Sequence, residues 1–268
     1  MSCPKKWKVK TKPPNARIVE VPCGTCSYCR KMRSLEWSAR ISHELAINPY
    51  SGFITLTYDE DNVRWKGLYM TLCKDDLQKY HKKLRKAGLR YKYYQVGEYG
   101  EKYDRPHYHV IMLGAGVKDK ALLEEKWEYG IIDVGLVEPK SISYVVSYVR
   151  KSPRERNIYY GKREEPFMTC SQGIGLEYAE RNVEAIRDQE SVKVNGGTIS
   201  IPRYYLKKGA IEKKQEHEML IKRQQEMYQE FIESGMEFSM WCKKRNAEEW
   251  QSVKNIDALK NLFGGGKL

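Results

Sequence analysis

Two histidines with one residue between them are the side chains best suited to metal chemistry. His107 and His109 lie at the start of a predicted strand over residues 108–113. Side chains alternate between the two faces of a strand, so both imidazoles project to the same side and can bind one ion. The alternative interpretation is a pair of surface histidines on an edge strand.

Glu98 is predicted to complete this site. It lies near the end of a predicted strand over 91–98, and pairing around the turn at 100–106 would bring its carboxylate opposite the histidines. Glu101 is the competing ligand. Two imidazoles and one carboxylate with open positions suit Mg²⁺ or Mn²⁺ polarising a phosphodiester better than a closed structural zinc.

Two tyrosines four residues apart are candidate nucleophiles. Tyr144 and Tyr148 share one face of a helix predicted over 141–151, and Lys151 flanks that face. A phenol has a pKa of about 10, so a nearby cation or metal is needed to favour the phenolate. Taken alone, this pattern is better explained by an amphipathic helix whose tyrosines cap the core.

Cysteines form a second candidate metal site near the amino terminus. Cys23, Cys26 and Cys29 have C-x₂-C-x₂-C spacing, and Cys3 is the expected fourth zinc ligand, with His43 as runner-up. An iron–sulfur cluster shares this spacing but usually continues with a further Cys followed by Pro, which is missing here. The other three cysteines are predicted to be buried thiols: Cys73, Cys170 and Cys242.

The elements that must position these residues predict an α+β fold. An antiparallel sheet with helices on one face is expected up to about residue 160. Beyond it we expect a loop, a helix, a hairpin and a polar helical tail. Both His81 and His217 are predicted to be solvated on polar helices. Predicted strands cover 53–58, 91–98, 108–113, 131–137 and the hairpin 192–201; helices cover 29–47, 74–87, 120–129, 141–151 and 176–188; 166–175 is a loop.

The charge of the chain favours a polyanionic partner. Its 268 residues include 48 Lys and Arg against 35 Asp and Glu, a formal charge of +13. Basic runs at 1–33, 77–95 and 140–165 bracket the candidate site, although any single run is also typical of a solvated helix face. Nucleic acid is the commonest such partner. No stretch approaches the roughly 18 apolar residues of a membrane span, and no signal sequence is recognisable, so we expect a cytoplasmic protein.

Taken in order, these motifs resemble the replication initiators of small single-stranded DNA bacteriophages, most closely those of gokushoviruses within the microviruses. The resemblance covers most of the chain before about residue 207. The matching segments are PCGTC at 22–26, CR at 29–30, EW at 36–37, FITLT at 53–57, GEYG at 97–100, RPHYH at 105–109, the two tyrosines and lysine within 144–151, GIG at 173–175 and PRYY at 202–205.

This resemblance implies an HUH endonuclease. Such a fold has a central five-stranded antiparallel sheet flanked by helices, here with an N-terminal Cys-rich segment and a C-terminal helical tail. His107, His109 and Glu98 would hold the metal. The implied domains are 1–47 with the cysteines and first helix, 48–160 as the endonuclease core, 161–206 as an extension and 207–268 as the tail.

The implied activity is rolling-circle initiation at a viral replication origin. Tyr144 or Tyr148 would take the 5′ phosphate of the nicked strand and free a 3′ hydroxyl for synthesis, with Lys151 assisting. The other tyrosine would cut the regenerated origin after one round. The phosphotyrosine keeps the energy of the broken bond, so no nucleotide cofactor is required. Host helicase and polymerase would be partners, in the host bacterial cytoplasm.

Two other functions remain open from the sequence. A non-catalytic, zinc-stabilised DNA-binding regulator would use the same charge and cysteines and treat the tyrosine helix as packing. A related single-tyrosine transposase or relaxase would form an adduct through one tyrosine only.

Overall fold

The computed structural model of the chain describes residues 3–10, 18–148, 163–194, 196–208, 226, 229–237, 240–241 and 243–244. The chain divides into two compact units, Ser34–Ala210 and Met1–Arg33 with Ile211–Leu268. The division predicted from the sequence, at 47/48, 160/161 and 206/207, stays a prediction.

The described elements confirm the mixed α+β class. None of the described helices combines the length and the apolar content that crossing a bilayer requires. The strands are β1 Trp7–Lys10, β2 Ile18–Val21, β3 Ser51–Tyr58, β4 Trp65–Lys66, β5 Tyr69–Met70, β6 Lys92–Tyr99, β7 Pro106–Leu113, β8 Gly130–Gly135, β9 Phe167–Cys170, β10 Ser191–Val194 and β11 Gly197–Ser200. The helices are α1 Ser27–Ile47, α2 Lys74–Lys86, α3 Lys120–Lys126, α4 Pro139–Ser147, α5 Leu176–Arg181, α6 Val183–Gln189 and α7 Arg203–Lys207.

A five-stranded antiparallel sheet forms the centre of the larger unit, as expected. Its strand order is β8-β3-β7-β6-β9, so β7 is the middle strand. Strand β3 alternates half-buried and buried residues along its whole length, and this alternation is why its pattern was recognisable. The fifth strand, β9, lies within the segment 166–175 that was predicted to be a loop, and that prediction was wrong.

Helices cover both faces of the sheet, whereas the sequence predicted cover on one. Helices α2 and α3 pack on the face that carries Tyr108 and Val110. Helices α1 and α4 pack on the opposite face, where Ile41 and Val145 meet Ile111. The end of β7 is buried on both faces, which is typical of a strand enclosed between two helical layers.

Three further expectations are corrected. His81 is buried, not solvated, because it shares the inward face of α2 with Leu77 and Leu84. The helix predicted over 176–188 is two helices, α5 and α6, which meet at Asn182. The predicted buried thiols Cys73 and Cys170 are half-buried.

The remaining sequence expectations outside the sheet have mixed outcomes. The hairpin predicted over 192–201 is present as β10 and β11. His217, Cys242 and most of the predicted tail lie outside the described residues; residues 229–234 of the tail are helical. The smaller unit contains the β1–β2 hairpin and the cysteine cluster.

Candidate metal centres

Three donor side chains meet where β6 pairs with β7. Glu98 lies directly opposite His107 in this pair, and His109 lies two residues along the same face. The Glu98 Oε1 atom is 3.0 Å from Nε2 of each imidazole. Strand β7 is central and His109 is buried, so the edge-strand interpretation is wrong. The competing Glu101 lies in the turn after β6 and lines the adjoining cleft.

Contacts at the far side of each ring orient the two imidazoles. His107 Nδ1 lies 3.1 Å from the Arg105 carbonyl oxygen, and His109 Nδ1 lies 3.1 Å from Thr55 Oγ1. A carbonyl only accepts, so Nδ1 of His107 donates its proton there, and in the neutral ring Nε2 is then an acceptor. Nε2 faces another acceptor, Glu98 Oε1, so a proton or a cation must lie between them. This donor set fits a divalent ion.

The Glu98 carboxyl is held in its ionised form. Burial raises its pKa, but hydrogen bonds from His107, His109 and Tyr144 outweigh burial and lower the pKa to about 2. A negatively charged oxygen is therefore available to a cation at neutral pH.

Both candidate nucleophiles reach this group from α4. The Tyr144 hydroxyl donates to Glu98 Oε1 at 2.8 Å and lies 3.5 Å from His109 Nε2. The Tyr148 hydroxyl lies 3.1 Å from that of Tyr144. Burial raises the pKa of Tyr144, and the charge of Glu98 raises it further, so the phenol keeps its proton next to the bare carboxylate. The predicted Lys151 lies outside the described residues.

The helix that carries the tyrosines is fixed by its opposite side. Pro139 occupies the first helical position, where its missing N–H is not needed. Ile142, Val145 and Val146 are buried against the sheet, which leaves Tyr144 45% exposed at the site. The pattern therefore combines the packing role and the site role that the sequence could not separate.

A cleft of about 500 Å³ adjoins the carboxylate and the tyrosines. Its wall combines acidic, basic and aromatic side chains. The lining residues are Thr57, Glu98, Tyr99, Gly100, Glu101, Lys102, Tyr103, Arg105, His107, Tyr144 and Tyr148.

Sequence reasoning missed the threonines of β3. Thr55 and Thr57 pair with His109 and His107, so they continue the same two cross-strand rows. The signal was present in the alternation of residues 53–58, which puts both threonines on one face, but the neighbouring strand was not known.

Four cysteines form the second donor group. The sulfur atoms of Cys3, Cys23, Cys26 and Cys29 all lie within 4.8 Å of one another. Two of the separations are 3.8 Å, from Cys3 to Cys26, and 3.9 Å, from Cys23 to Cys29. A tetrahedral zinc with Zn–S bonds of about 2.3 Å has sulfur–sulfur separations of about 3.8 Å. The runner-up His43 instead contacts the Tyr205 hydroxyl at 2.8 Å.

Backbone amides support thiolates in this cluster. The N–H groups of Cys23, Cys26 and Cys29 each point at the sulfur of another cysteine in the group, at 3.3, 3.3 and 3.4 Å. Burial raises the pKa of Cys23, but hydrogen bonds from the Cys26 and Thr25 amides lower it to about 6. Burial raises the pKa values of Cys26 and Cys29, so a bound cation is needed to hold all of the sulfurs as thiolates.

Comparisons with known proteins agree with the resemblance seen in the motifs. Residues 51–153 match a family model of replication-associated proteins, described by the name ORF2. Replication-associated protein ORF2 of Spiroplasma virus 4 is 28% identical over 69% of this chain. ORF4 of Chlamydia phage 1 is 27% identical over 69%, and VP4 of Bdellovibrio phage phiMH2K is 29% identical over 75%.

The matches extend over part of each relative. They cover 66% of the Spiroplasma virus 4 protein, 52% of the Chlamydia phage 1 protein and 72% of the Bdellovibrio phage protein. No solved structure matches the chain.

Proposed function

Because this chain belongs with the replication-associated proteins of microviruses such as the gokushoviruses, we propose that it initiates phage DNA replication by nicking one strand of the replication origin. The observation that carries this proposal is the contact of the Tyr144 hydroxyl with Glu98 and His109, in a cleft beside a second tyrosine. It is the arrangement that an HUH endonuclease needs, with a nucleophile beside a two-histidine, one-acid donor set.

Glu98, His107 and His109 would hold a divalent cation, Mg²⁺ or Mn²⁺. Nitrogen and carboxylate donors suit these ions, and a third protein ligand leaves positions for phosphate oxygens. When bound, such an ion polarises the phosphodiester and stabilises the charge that develops during cleavage.

Tyr144 is assigned to the first cleavage. Its oxygen attacks the phosphorus and forms the Tyr–phosphate bond, while the bond from phosphorus to the 3′ oxygen breaks. The phenolic proton goes to the departing 3′ oxygen, so the products are a 5′-phosphotyrosine and a free 3′ hydroxyl. Glu98 accepts the hydrogen bond of Tyr144 and thereby aims its oxygen at the cleft.

Tyr148 is assigned to the second cleavage. Its hydroxyl lies one hydrogen bond further from the carboxylate, at 3.1 Å from Tyr144. After one round of synthesis it would cut the regenerated origin, and the released 3′ hydroxyl would attack the Tyr144 ester. This exchange restores the Tyr144 phenol and closes a single-stranded circle. Host helicase and polymerase would supply unwinding and synthesis in the bacterial cytoplasm.

We also propose that Cys3, Cys23, Cys26 and Cys29 bind a structural zinc ion. Their sulfur separations of 3.8 and 3.9 Å agree with the edge of a zinc–thiolate tetrahedron. Four sulfur donors leave no open position, so this ion would serve stability and not the cleavage reaction.

The proposed activity is tested with single-stranded DNA and Mn²⁺. Oligonucleotides that tile the viral strand are labelled at the 3′ end and incubated with the protein. A 5′-phosphotyrosine link leaves the label on the protein, which runs as a shifted band on a denaturing gel. We expect this band with the wild type, and its loss in the Tyr144→Phe/Tyr148→Phe double variant.

Tyr129→Phe is the matched control, because it removes a phenol outside the site and keeps the ring. It should form the adduct as the wild type does. Absence of an adduct with the wild type, together with salt-dependent DNA binding, would instead support a non-catalytic regulator. An adduct that persists in the double variant would exclude both assigned tyrosines.

A further inference from the structure

Two tyrosine rings are exposed beside the cleft, in a unit whose other large aromatic rings include several in the core. Tyr69 on β5 is 63% exposed, and Tyr103 in the turn between β6 and β7 is 71% exposed. Tyr58, Tyr80 and Tyr108, by contrast, are fully buried. Exposed aromatic rings next to a cleft are typical of a binding surface when the backbone beneath them is fixed.

The turn that carries Tyr103 is fixed by its own hydrogen bonds. The Gly100 amide donates to the Arg105 carbonyl, and the Asp104 amide donates to the Gly100 carbonyl, both at 2.9 Å. Asp104 has a left-handed backbone, with φ of 53°, which Asp tolerates better than most residues. Its carboxylate forms an ion pair with Arg163.

Arg163 links this turn to the β4–β5 hairpin. Its guanidinium carbon lies 4.5 Å from the centre of the Tyr99 ring and 5.3 Å from that of Tyr69. Its Nη1 also lies 3.5 Å from the Met70 carbonyl oxygen. The Arg163 side chain is 4% exposed. One buried cation therefore holds the two segments that carry the exposed rings.

Each exposed ring is accompanied by a lysine. Lys66 is the cross-strand partner of Tyr69, so the two side chains share one face of the hairpin. The Lys102 ammonium lies 5.1 Å from the centre of the Tyr103 ring. Lys102 and Tyr103 both line the cleft that contains Glu98 and His107.

We propose that Tyr69, Tyr103, Lys66 and Lys102 form a stacking platform for unpaired DNA bases, leading a single strand into the cleft. Ring faces stack on bases and ammonium groups pair with phosphates, and a single strand offers both. A duplex encloses its base faces and offers edges and phosphates only. This inference rests on the proposed function and states how its substrate is held.

The platform is tested by binding, without cleavage. Fluorescent oligothymidylate and a duplex of equal length are titrated with the full chain, with no added divalent ion, and anisotropy is recorded. Tyr69→Ala and Tyr103→Ala should each weaken oligothymidylate binding by about 10-fold, the loss of one stacked base. Tyr103→Phe keeps the ring and should bind as the wild type does. Duplex binding should not change.

Charge and position are tested by two further variants. Lys102→Gln should lower the slope of log affinity against log salt by about 0.7, the value of one single-strand phosphate contact. Trp65→Ala is the matched control. Trp65 is 59% exposed in the same hairpin, but it pairs with Met70 and so faces the other side. It should leave oligothymidylate binding unchanged.

The outcomes separate this inference from the proposed function. A chain that forms the covalent adduct, but whose Tyr69→Ala and Tyr103→Ala variants bind oligothymidylate normally, refutes the platform and keeps the nickase. A chain that forms no adduct, but loses single-strand affinity in both variants, refutes the nickase and keeps the platform. Equal losses in Trp65→Ala, or equal losses on the duplex, overturn the platform.

Discussion

The Glu98 oxygen contacts every polar group on which the proposed cleavage depends. Oε1 has the two imidazole nitrogens at 3.0 Å and the Tyr144 hydroxyl at 2.8 Å as neighbours. Burial alone would favour the neutral acid, yet these contacts lower the pKa to about 2. The same negative charge raises the pKa of Tyr144. Activation of Tyr144 therefore requires that a cation neutralise Glu98.

Exchanging either of two neighbouring acids tests this dependence. Glu98→Gln keeps the shape of the side chain but removes its charge, so we expect adduct formation in Mn²⁺ to fall by about 100-fold or more. Glu101→Gln changes an exposed acid of the same cleft and should keep the wild-type rate. Both rates are measured across a Mn²⁺ titration with the 3′-labelled strand.

Single-strand binding gives the control for folding in this experiment. Both variants should bind oligothymidylate with wild-type affinity or better, because each removes a negative charge. If Glu101→Gln loses the activity and Glu98→Gln keeps it, the ligand assignment is reversed.

At the scale of elements, the strands that could be predicted are those with a marked apolar or alternating pattern. Strand β3 alternates throughout, and β7 carries a continuous apolar end, so their positions followed from the residues. Strand β9 has four half-buried residues at the sheet edge, between Pro166 and the glycines at 173 and 175. Neither alternation nor an apolar run marks it, so only its pairing with β6 reveals it.

The candidate site was predictable for a related reason. Glu98, His107 and His109 depend on one hairpin, whose register follows from a short turn. His81 was misjudged because its identity was weighed above its position. It occupies the apolar stripe of α2, where Tyr91 and Gln95 satisfy its ring nitrogens at 2.7 Å each. Contacts of this kind come from distant segments and are not encoded in local spacing.

The attachment of β8 to β3 gives a prediction at this scale. Gly130 has φ of 147°, and a Cβ atom there would lie 2.4 Å from the Thr57 carbonyl oxygen and 2.3 Å from the Asp59 amide. Neither backbone atom can move away without breaking the ladder. Gly130→Ala should therefore lower the free energy of unfolding by about 2–5 kcal/mol.

Gly135 offers the control at the other end of the same strand. A Cβ atom there would have its nearest contact at 3.9 Å, from the Phe53 carbonyl oxygen. Gly135→Ala should leave the stability within about 1 kcal/mol of wild type. Urea denaturation followed by circular dichroism measures both. Equal stability of the two variants would contradict the tight approach at Gly130.

At the scale of the whole molecule, the chain carries two donor groups of different chemistry. The larger unit has two nitrogens and one oxygen, which suit Mg²⁺ or Mn²⁺, and the smaller unit has four sulfurs, which suit zinc. The closed sulfur set should exchange its ion slowly, whereas the open set should release its ion on dialysis. The formal charge of +13 is then available for grip on DNA, separate from the chemistry at either group.

Metal analysis of the purified chain tests this separation. After dialysis against metal-free buffer, the wild type should keep about one zinc ion per chain and no manganese. Cys23→Ser removes one of the four sulfur donors and should lose most of the zinc, whereas Cys73→Ser changes a half-buried thiol outside the cluster and should keep it. Because tetrahedral thiolate coordination ties Cys3 to the segment 23–29, loss of zinc should also make this segment more sensitive to limited proteolysis. A wild-type chain without zinc, or a Cys23→Ser variant with its full zinc content, would rule out the structural zinc site.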